Sequence, residues 1–482
     1  MNKLTYIPIK RAFRIISIIV LLLFALPFAN AAGRMDSAIT KFANSKAMRN
    51  AKIGICVIDL KTGKTAAAYN SNNALIPASV TKLITSATAI KALTPGYRFK
   101  TDVYVDGRID RNGVVNGNVI VNAGIDPTLE SRFFPDQESF IVKVVKSLQS
   151  KGIKRIEGKV IINEKACPEP GVPEDWDDSD VVEDYGSGVH AINYSDNLCS
   201  LIFDVSGSKA IIIDTLPHQK KLKIRNNVKV VRGKSGRWTP AATRRKNSDL
   251  LIVSGNVRRQ NNLVELKTTT PDPADALSCD LTEAIVCEGI TVRNKNLKGK
   301  GYTPICSYYS PRLEEIASSL LFRSDNMYAE AVLRAIGLQN NFSSSRLSAL
   351  KKEKSIISTW GIDIAGQTIY DGSGLSRTNR YSAKFLAGIL AKAATDHQIG
   401  NIFPTLLPVC GYEGTVRNLL KGTSLEGRMA LKSGSMTGVQ CYAGYYPTGR
   451  PQYAVVMMAN NFRCNYGTLK HSIEQLFIDM FA

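Results

Sequence analysis

Ser79 and Lys82 stand one helical turn apart, and 244 residues separate Ser79 from a second short motif, Ser324-Asp325-Asn326. A third, Lys432-Ser433-Gly434, lies near the end of the chain. An S-x-x-K tetrad alone carries little information, because a chain of 482 residues should contain one by chance. Three such motifs in this order are more restrictive. If they serve one reaction, the fold must gather residues from both ends of the chain, and the long stretch between them must fold as an insertion. Pro77, well placed for a first turn, predicts a helix to about Leu93. Residues three apart on a helix share a face, so the Lys82 amine can reach the Ser79 hydroxyl.

The flanking texture agrees with an insertion. Lys52 to Asp59 reads as a buried strand, and Lys61 to Tyr69 as its hairpin partner after the turn Lys61-Thr62-Gly63. From about Phe99 short alternating strands appear, such as Val114 to Val121 and Gly158 to Ile162. Lys221 to Lys229 reads as two short strands around Asn226-Asn227. Helical periodicity returns at Ala274 to Val286 and at Leu313 to Gly337. Three strands follow, Arg428 to Lys432, Gly438 to Tyr446 and Gln452 to Asn460, and then a final helix. The expected fold class is α/β (α+β), a discontinuous catalytic domain with mostly β inserted domains. The expected boundaries are a leader at 1–31, a catalytic domain from 32–98 and 285–482, an inserted domain from 99–200 and 264–284, and a third domain, 201–263, inserted in the second.

A serine hydroxyl is a poor nucleophile until a base takes its proton. With no histidine in a recognisable constellation, Lys82 is the available base. To act it must be neutral, so burial or neighbouring cations must lower its pKa, and Lys432 is a candidate neighbour. Ser324 can relay a proton to a leaving amine, and Asn326 can hold a substrate amide. Lys432-Ser433-Gly434-Ser435 reads as an edge strand along which a substrate backbone could lie, with Gly434 removing side-chain bulk. Backbone N–H groups of Ser79 and Ser435 would form an oxyanion hole, and Lys432 and Ser435 would bind a terminal carboxylate.

The first residues carry only positive charge, at Lys3, Lys10, Arg11 and Arg14. An apolar run from Ile15 to Leu26 and the small-residue stretch Ala29-Asn30-Ala31 follow. That is the layout of a secretory signal peptide cleaved after Ala31, and the run is too short to span a membrane. An exported protein with no transmembrane anchor after cleavage is expected. Of the formal net charge of +21, four charges belong to this leader, leaving +17. Between Thr215 and Leu263 thirteen Lys or Arg face a single acid, Asp249, so one segment supplies +12 of that excess. An exported protein rarely meets nucleic acid, so nucleic acid is not expected as a partner. An anionic envelope polymer, an acidic protein or a solvated face remain as readings of the segment. Nine cysteines lack C-x-x-C spacing and four histidines lack metal-ligand spacing, so no metal or other cofactor is expected. Nine is odd, so a monomer keeps at least one free thiol; their pairing and the oligomeric state are not legible.

The three motifs together are the signature of penicillin-binding proteins and serine β-lactamases. Further residues make the chain resemble the penicillin-binding protein 4 type of D-alanyl-D-alanine carboxypeptidase/endopeptidase. They are Asp371-Gly372-Ser373-Gly374-Leu375-Ser376-Arg377, Leu407-Pro408-Val409 with Gly411-Tyr412-Glu413-Gly414-Thr415, Asp126-Pro127-Thr128-Leu129, Tyr185-Gly186, Asn193 and Asn197. The resemblance implies a penicillin-recognising catalytic domain with nested insertions. It implies that Ser79 is acylated by peptidoglycan stem peptides ending in D-Ala-D-Ala, releasing D-alanine, and that β-lactams act as covalent inhibitors of the same serine. Many such proteins also cut cross-links. The residues matching a pocket for the stem peptide's diamino-acid end are Asp180, Tyr185, Arg377 and Met436. A Gram-negative periplasm is the implied compartment. Lys-Ser-Gly stands where Lys-Thr-Gly is commoner, and the hydroxyl is kept. Seven acids fall within Glu174 to Asp184, which leaves the pocket acid open and a calcium loop or an acidic surface loop as alternatives. A serine β-lactamase, and a non-catalytic peptidoglycan-binding protein, remain as further alternatives.

Overall fold

The computed structural model describes residues 33–165, 167, 169–231, 239–338 and 344–482. The signal-peptide reading and part of the basic segment, 232–238, fall outside these. The chain divides into two compact units, one of Met1–Pro77, Arg380–Asp396 and Leu407–Ala482, the other of Ala78–Asn379 and His397–Leu406.

In the first unit a five-stranded antiparallel sheet runs in the order Ala430–Met436, Val439–Tyr446, Tyr453–Asn460, Lys52–Asp59, Thr65–Tyr69. Its middle strands are apolar at nearly every position because both faces are covered. Ile53, Ile55, Val57, Val455 and Met457 join Leu469, Ile473 and Phe477 of the Tyr466–Phe481 helix in one core. The opposite face meets the Ala383–Thr395 helix. Ala430–Met436, which carries the third motif, is an edge strand, as its sequence suggests.

The second unit combines helices and four small sheets. The predicted helix after Pro77 begins as a 3-10 turn, Ala78–Thr81, and continues as an α-helix, Lys82–Leu93, buried at almost every position. Leu313–Arg323, Asn326–Leu338 and Arg346–Thr359 pack with it. Two four-stranded sheets share a core with the helices Phe140–Ser150 and Pro273–Cys287. Two three-stranded sheets enclose a core around Leu201, Phe203, Leu251 and Val253.

Three expectations need correction. The helix expected from Leu313 to Gly337 is two helices broken at Ser324, which adopts φ 66°, ψ 35°. Asp325 then accepts the Tyr328 N–H at 2.9 Å as an N-terminal cap. Lys221 to Lys229 is not a pair of strands, since Lys223–Val231 is one strand in a nine-residue parallel ladder with Leu250–Arg258. Asn226 and Asn227 are exposed, and the ladder's hydrogen bonds outweigh their turn propensity. Val114 to Val121 is divided into Val114–Asn116 and Val119–Asn122, and at the break Gly117 packs so closely on Gly107 that a Cβ would lie 2.6 Å from the Gly107 nitrogen.

Candidate active site

Ser79 sits in the 3-10 turn and Lys82 opens the α-helix, so the change of winding falls between them. The Lys82 side chain is fully buried. Its Nζ donates to Asn326 Oδ1 at 2.5 Å, to the Ser373 carbonyl at 2.6 Å and to Ser79 Oγ at 3.0 Å. Burial pulls its pKa down from 10.5 to about 8, against the opposing pull of Asp371, Asp325 and Glu330. Removal from water therefore does what the sequence reading assigned to burial or a neighbouring cation. The charged groups identified as acting on Lys82 are all carboxylates.

The break at Ser324 places Asn326 at the start of a helix with its side chain toward Lys82. The other end of the same amide, Nδ2, donates to the Tyr185 carbonyl at 2.8 Å. Asn326 thus joins Lys82 to the loop carrying two of the expected pocket residues, Asp180 and Tyr185. In that loop the Tyr185 hydroxyl donates to Asp180 Oδ1 at 3.0 Å, and Tyr185 is 45% exposed. Three of the other acids take separate partners. Asp177 accepts from Ser179, Asp178 from the Lys246 N–H, and Asp175 from Ser376 Oγ. Arg377 is exposed at the end of the Asp371–Arg377 motif.

That motif is a buried turn whose role sequence reasoning missed. Asp371 accepts from the N–H groups of Gly374 and Ser376 at 2.7 Å, from Asn379 Nδ2 at 2.8 Å and from Trp176 Nε1 at 3.2 Å. Gly374 has φ +80°, and a Cβ there would lie 2.0 Å from the Ala78 carbonyl, so the turn lies directly against the segment that carries Ser79. Glu330 was also missed. Its signal was its spacing, one helical turn after Asn326.

In the other unit Lys432 is fully buried, and its Nζ donates to the Ser433 carbonyl at 2.6 Å. Ser433 Oγ donates to Thr415 Oγ1 at 2.7 Å, which ties the Gly411–Thr415 segment to this strand. Gly434 is buried, Ser435 exposed and Met436 half-buried. The structure therefore brings together Ser79, Lys82, Asn326 and the Tyr185 loop in one unit, and sets Lys432, Ser433, Gly434, Ser435 and Met436 on one strand of the other.

All nine cysteines are free thiols. Among the described residues one cluster has metal-type donors: His218 Nδ1 lies 3.2 Å from Asp280 and 3.1 Å from Glu283. Sequence spacing hid it, because 62 positions separate His218 from Asp280. Asp214 lies 3.5 Å from the other ring nitrogen, and the His218 side chain is about half exposed. No described helix is long and apolar enough to cross a membrane.

A model of the D-Ala-D-Ala carboxypeptidase 3 (S13) family matches residues 35–476. A D-alanyl-D-alanine carboxypeptidase of Actinomadura sp. strain R39 is 26% identical over 435 residues, 86% of this chain and 78% of that one. D-alanyl-D-alanine carboxypeptidase DacB of Haemophilus influenzae is 24% identical over 427 residues, 86% of this chain and 87% of that one. The crystal structure of penicillin binding protein 4 from Haemophilus influenzae superposes with a TM-score of 0.76 at 21% identity, covering 92% of this chain and 99% of that one. The fold is thus of the penicillin-binding-protein type, as the motif order anticipated.

Proposed function

Because the chain belongs to the D-Ala-D-Ala carboxypeptidase 3 (S13) family, we propose that it cleaves peptidoglycan stem peptides through an acyl-enzyme on Ser79. The observation that carries the reading is the buried amine of Lys82, 3.0 Å from Ser79 Oγ and drawn down to a pKa of about 8. At mildly alkaline pH an appreciable fraction of such an amine is neutral and can take the Ser79 proton.

Oγ then bonds to the carbonyl carbon of the penultimate D-alanine. The C–N bond breaks, and the terminal D-alanine leaves with a proton delivered by way of Ser324. Water attacks the ester and restores the Ser79 hydroxyl. Asn326 holds Lys82 and the pocket loop in register through its two amide ends. A contact from its Nδ2 to substrate requires exchanging the Tyr185 carbonyl for the substrate's own. Lys432, Ser433, Gly434, Ser435 and the oxyanion N–H groups of Ser79 and Ser435 enter through the motifs they spell. Asp180, Tyr185, Arg377 and Met436 enter through the family pattern.

The same serine would be acylated by β-lactams; the Haemophilus influenzae protein has been crystallised complexed with one. Cross-link cleavage, export to a periplasm and a nested division at 99–200 with 264–284 and at 201–263 belong to the same reading. The basic segment is assigned to an anionic wall polymer.

The test is intact-protein mass spectrometry with benzylpenicillin, sampled over hours beside Ser79→Ala. A long-lived adduct absent from the variant supports the reading. An adduct lost within seconds while penicillin is consumed replaces it with a β-lactamase. No adduct in either protein replaces it with a binding protein.

A further inference from the structure

Glu330 is fully buried on the Asn326–Leu338 helix. One of its oxygens, Oε1, accepts two backbone N–H groups, from Gly372 at 3.0 Å and from Ser373 at 2.9 Å. The carbonyl of that same Ser373 receives the Lys82 amine. The carbonyl of Gly372 receives Thr85 Oγ1 at 2.9 Å, one turn along the helix from Lys82. The 372–373 peptide groups are therefore held from both sides: carboxyl on their donors, the Lys82 helix on their acceptors. The second oxygen of Glu330, Oε2, is buried without a hydrogen-bond partner. Nothing in the acylation chemistry set out above uses this carboxyl.

We propose that Glu330 is a positioning residue for the Ser79–Lys82 pair, fixing the 371–374 turn so that the Ser373 carbonyl aims the amine at Ser79, and acting on that amine through its own charge. The inference rests on the Ser79 acyl-enzyme reading and adds a third group to it.

The electrostatic half follows from what surrounds the carboxyl. Lys82 faces it from the Lys82–Leu93 helix and Asp371 from the turn. Arg334 lies on its own helix and Glu353 on the Arg346–Thr359 helix. Burial, and then Asp371, hold Glu330 in its protonated form to higher pH than an ordinary carboxyl, with Arg334 and the Ser373 hydrogen bonds opposing. Once ionised, Glu330 favours the ammonium form of Lys82. The sign is fixed. Removing the charge from position 330 lets Lys82 become neutral at lower pH.

The geometric half rests on satisfaction of backbone groups. Two buried N–H groups with a single acceptor between them lose it together when the side chain is truncated. The turn then has no reason to present the Ser373 carbonyl where it is, and Lys82 loses one of its three acceptors. Glutamine keeps an oxygen for both N–H groups while carrying no charge, so it separates the two halves.

The test measures the second-order rate of acylation by benzylpenicillin from about pH 5.5 to 9.5 for wild type, Glu330→Gln, Glu330→Ala and Ser79→Ala. The alkaline rise in rate should move to lower pH in Glu330→Gln by on the order of one unit. Glu330→Ala should acylate roughly ten-fold or more slowly at every pH. A Glu330→Gln profile that superimposes on wild type, or moves upward, overturns the electrostatic role. A Glu330→Ala rate within about two-fold of wild type overturns the positioning role. If Glu330→Ala does not fold, Glu330→Asp, which keeps the charge but draws the oxygen back from the two N–H groups by one carbon, replaces it under the same two-fold criterion. Acylation persisting in Ser79→Ala would overturn the reading of Ser79 itself. An inactive Ser79→Ala beside an unshifted Glu330→Gln overturns only the electrostatic role of Glu330 and leaves the Ser79 reading standing.

Discussion

The surroundings of Lys82 and the sheet formed by Lys223–Val231, Leu250–Arg258 and Ala241–Thr243 both hold charge, in opposite ways. Around Lys82 the ionisable side chains Glu330, Glu353, Arg334 and Asp371 are all buried. On the sheet Lys223, Arg225, Lys229 and Arg258 stand out on one face, while Ile224, Val228, Leu251 and Val253 pack beneath. Taking a charge out of water costs several kcal/mol unless it is paired, hydrogen-bonded or neutralised. Each of these groups has a partner: the Gly372 and Ser373 N–H groups for Glu330, Thr88 for Glu353, the Ser344 carbonyl for Arg334 and four donors for Asp371. Charge on the sheet costs almost nothing and needs few. Lys223 pairs with Asp249 at 2.8 Å, with both side chains about half exposed or more, and such a pair contributes little. Buried charge is informative residue by residue; exposed charge is informative only as a sum.

The largest test of the contrast is Lys82→Met. Losing the base should lower the acylation rate by about a thousand-fold or more, read as slow formation of the penicillin adduct. Retained activity would mean that the buried amine is merely structural. Next comes the pH profile of the wild type. The acylation rate should rise as pH passes through about 8, where Lys82 becomes neutral. A rise centred near the ordinary value of 10.5 would show that burial does not act on this amine.

Glu353 tests the same idea through stability. Burial raises its pKa from 4.5 to about 8, and Thr88 Oγ1 donates to it at 3.2 Å. The folded chain keeps this proton between about pH 4.5 and 8 while the unfolded chain releases it. Wild-type stability should therefore fall as pH rises across that window. Glu353→Gln should remove this part of the slope, gaining on wild type by on the order of a few kcal/mol at about pH 8 relative to about pH 5, measured by denaturant unfolding. Parallel curves for the two proteins would break the account.

The smallest effect belongs to the sheet. Arg225→Glu with Lys229→Glu should change stability by less than about 0.5 kcal/mol, while retention on purified sacculi weakens and becomes less salt-sensitive. Destabilisation matching that of a buried substitution would erase the distinction between the two regions.

The sequence is legible to the same unequal degree. Ile53 to Val57 and Val455 to Ala459 announce a covered sheet because apolar burial is written in consecutive residues. Ser79 and Lys82 were readable because a helix fixes residues three apart on one face. The break at Ser324 was readable in principle, since Ser-Asp-Asn places three poor helix formers in a row and the aspartate is a good cap. Glu330 and Asp371 were legible as positions, one a helical turn after Asn326 and the other opening the Asp371–Arg377 motif, but their roles were not. The meaning of Glu330 lies in backbone N–H groups that meet it from 42 and 43 positions away. Asn226-Asn227 misled because a turn signal is local and the ladder opposing it is not. Part of the basic segment also turns inward. Arg244 donates to the Val181 carbonyl at 3.0 Å, and Lys246 to that of Trp176 at 2.7 Å, so its summed charge overstates what it shows to a partner.

Ser324 holds a left-handed conformation at φ 66° that a glycine or an asparagine adopts more readily. Stability screens and consensus-style engineering would therefore favour replacing it, and on the proposed reading each such replacement removes the proton relay to the leaving amine. Directed evolution of a hardier variant would meet an antagonism at this one position, where the better scaffold is the poorer enzyme. Ser324 should be locked before any library is built.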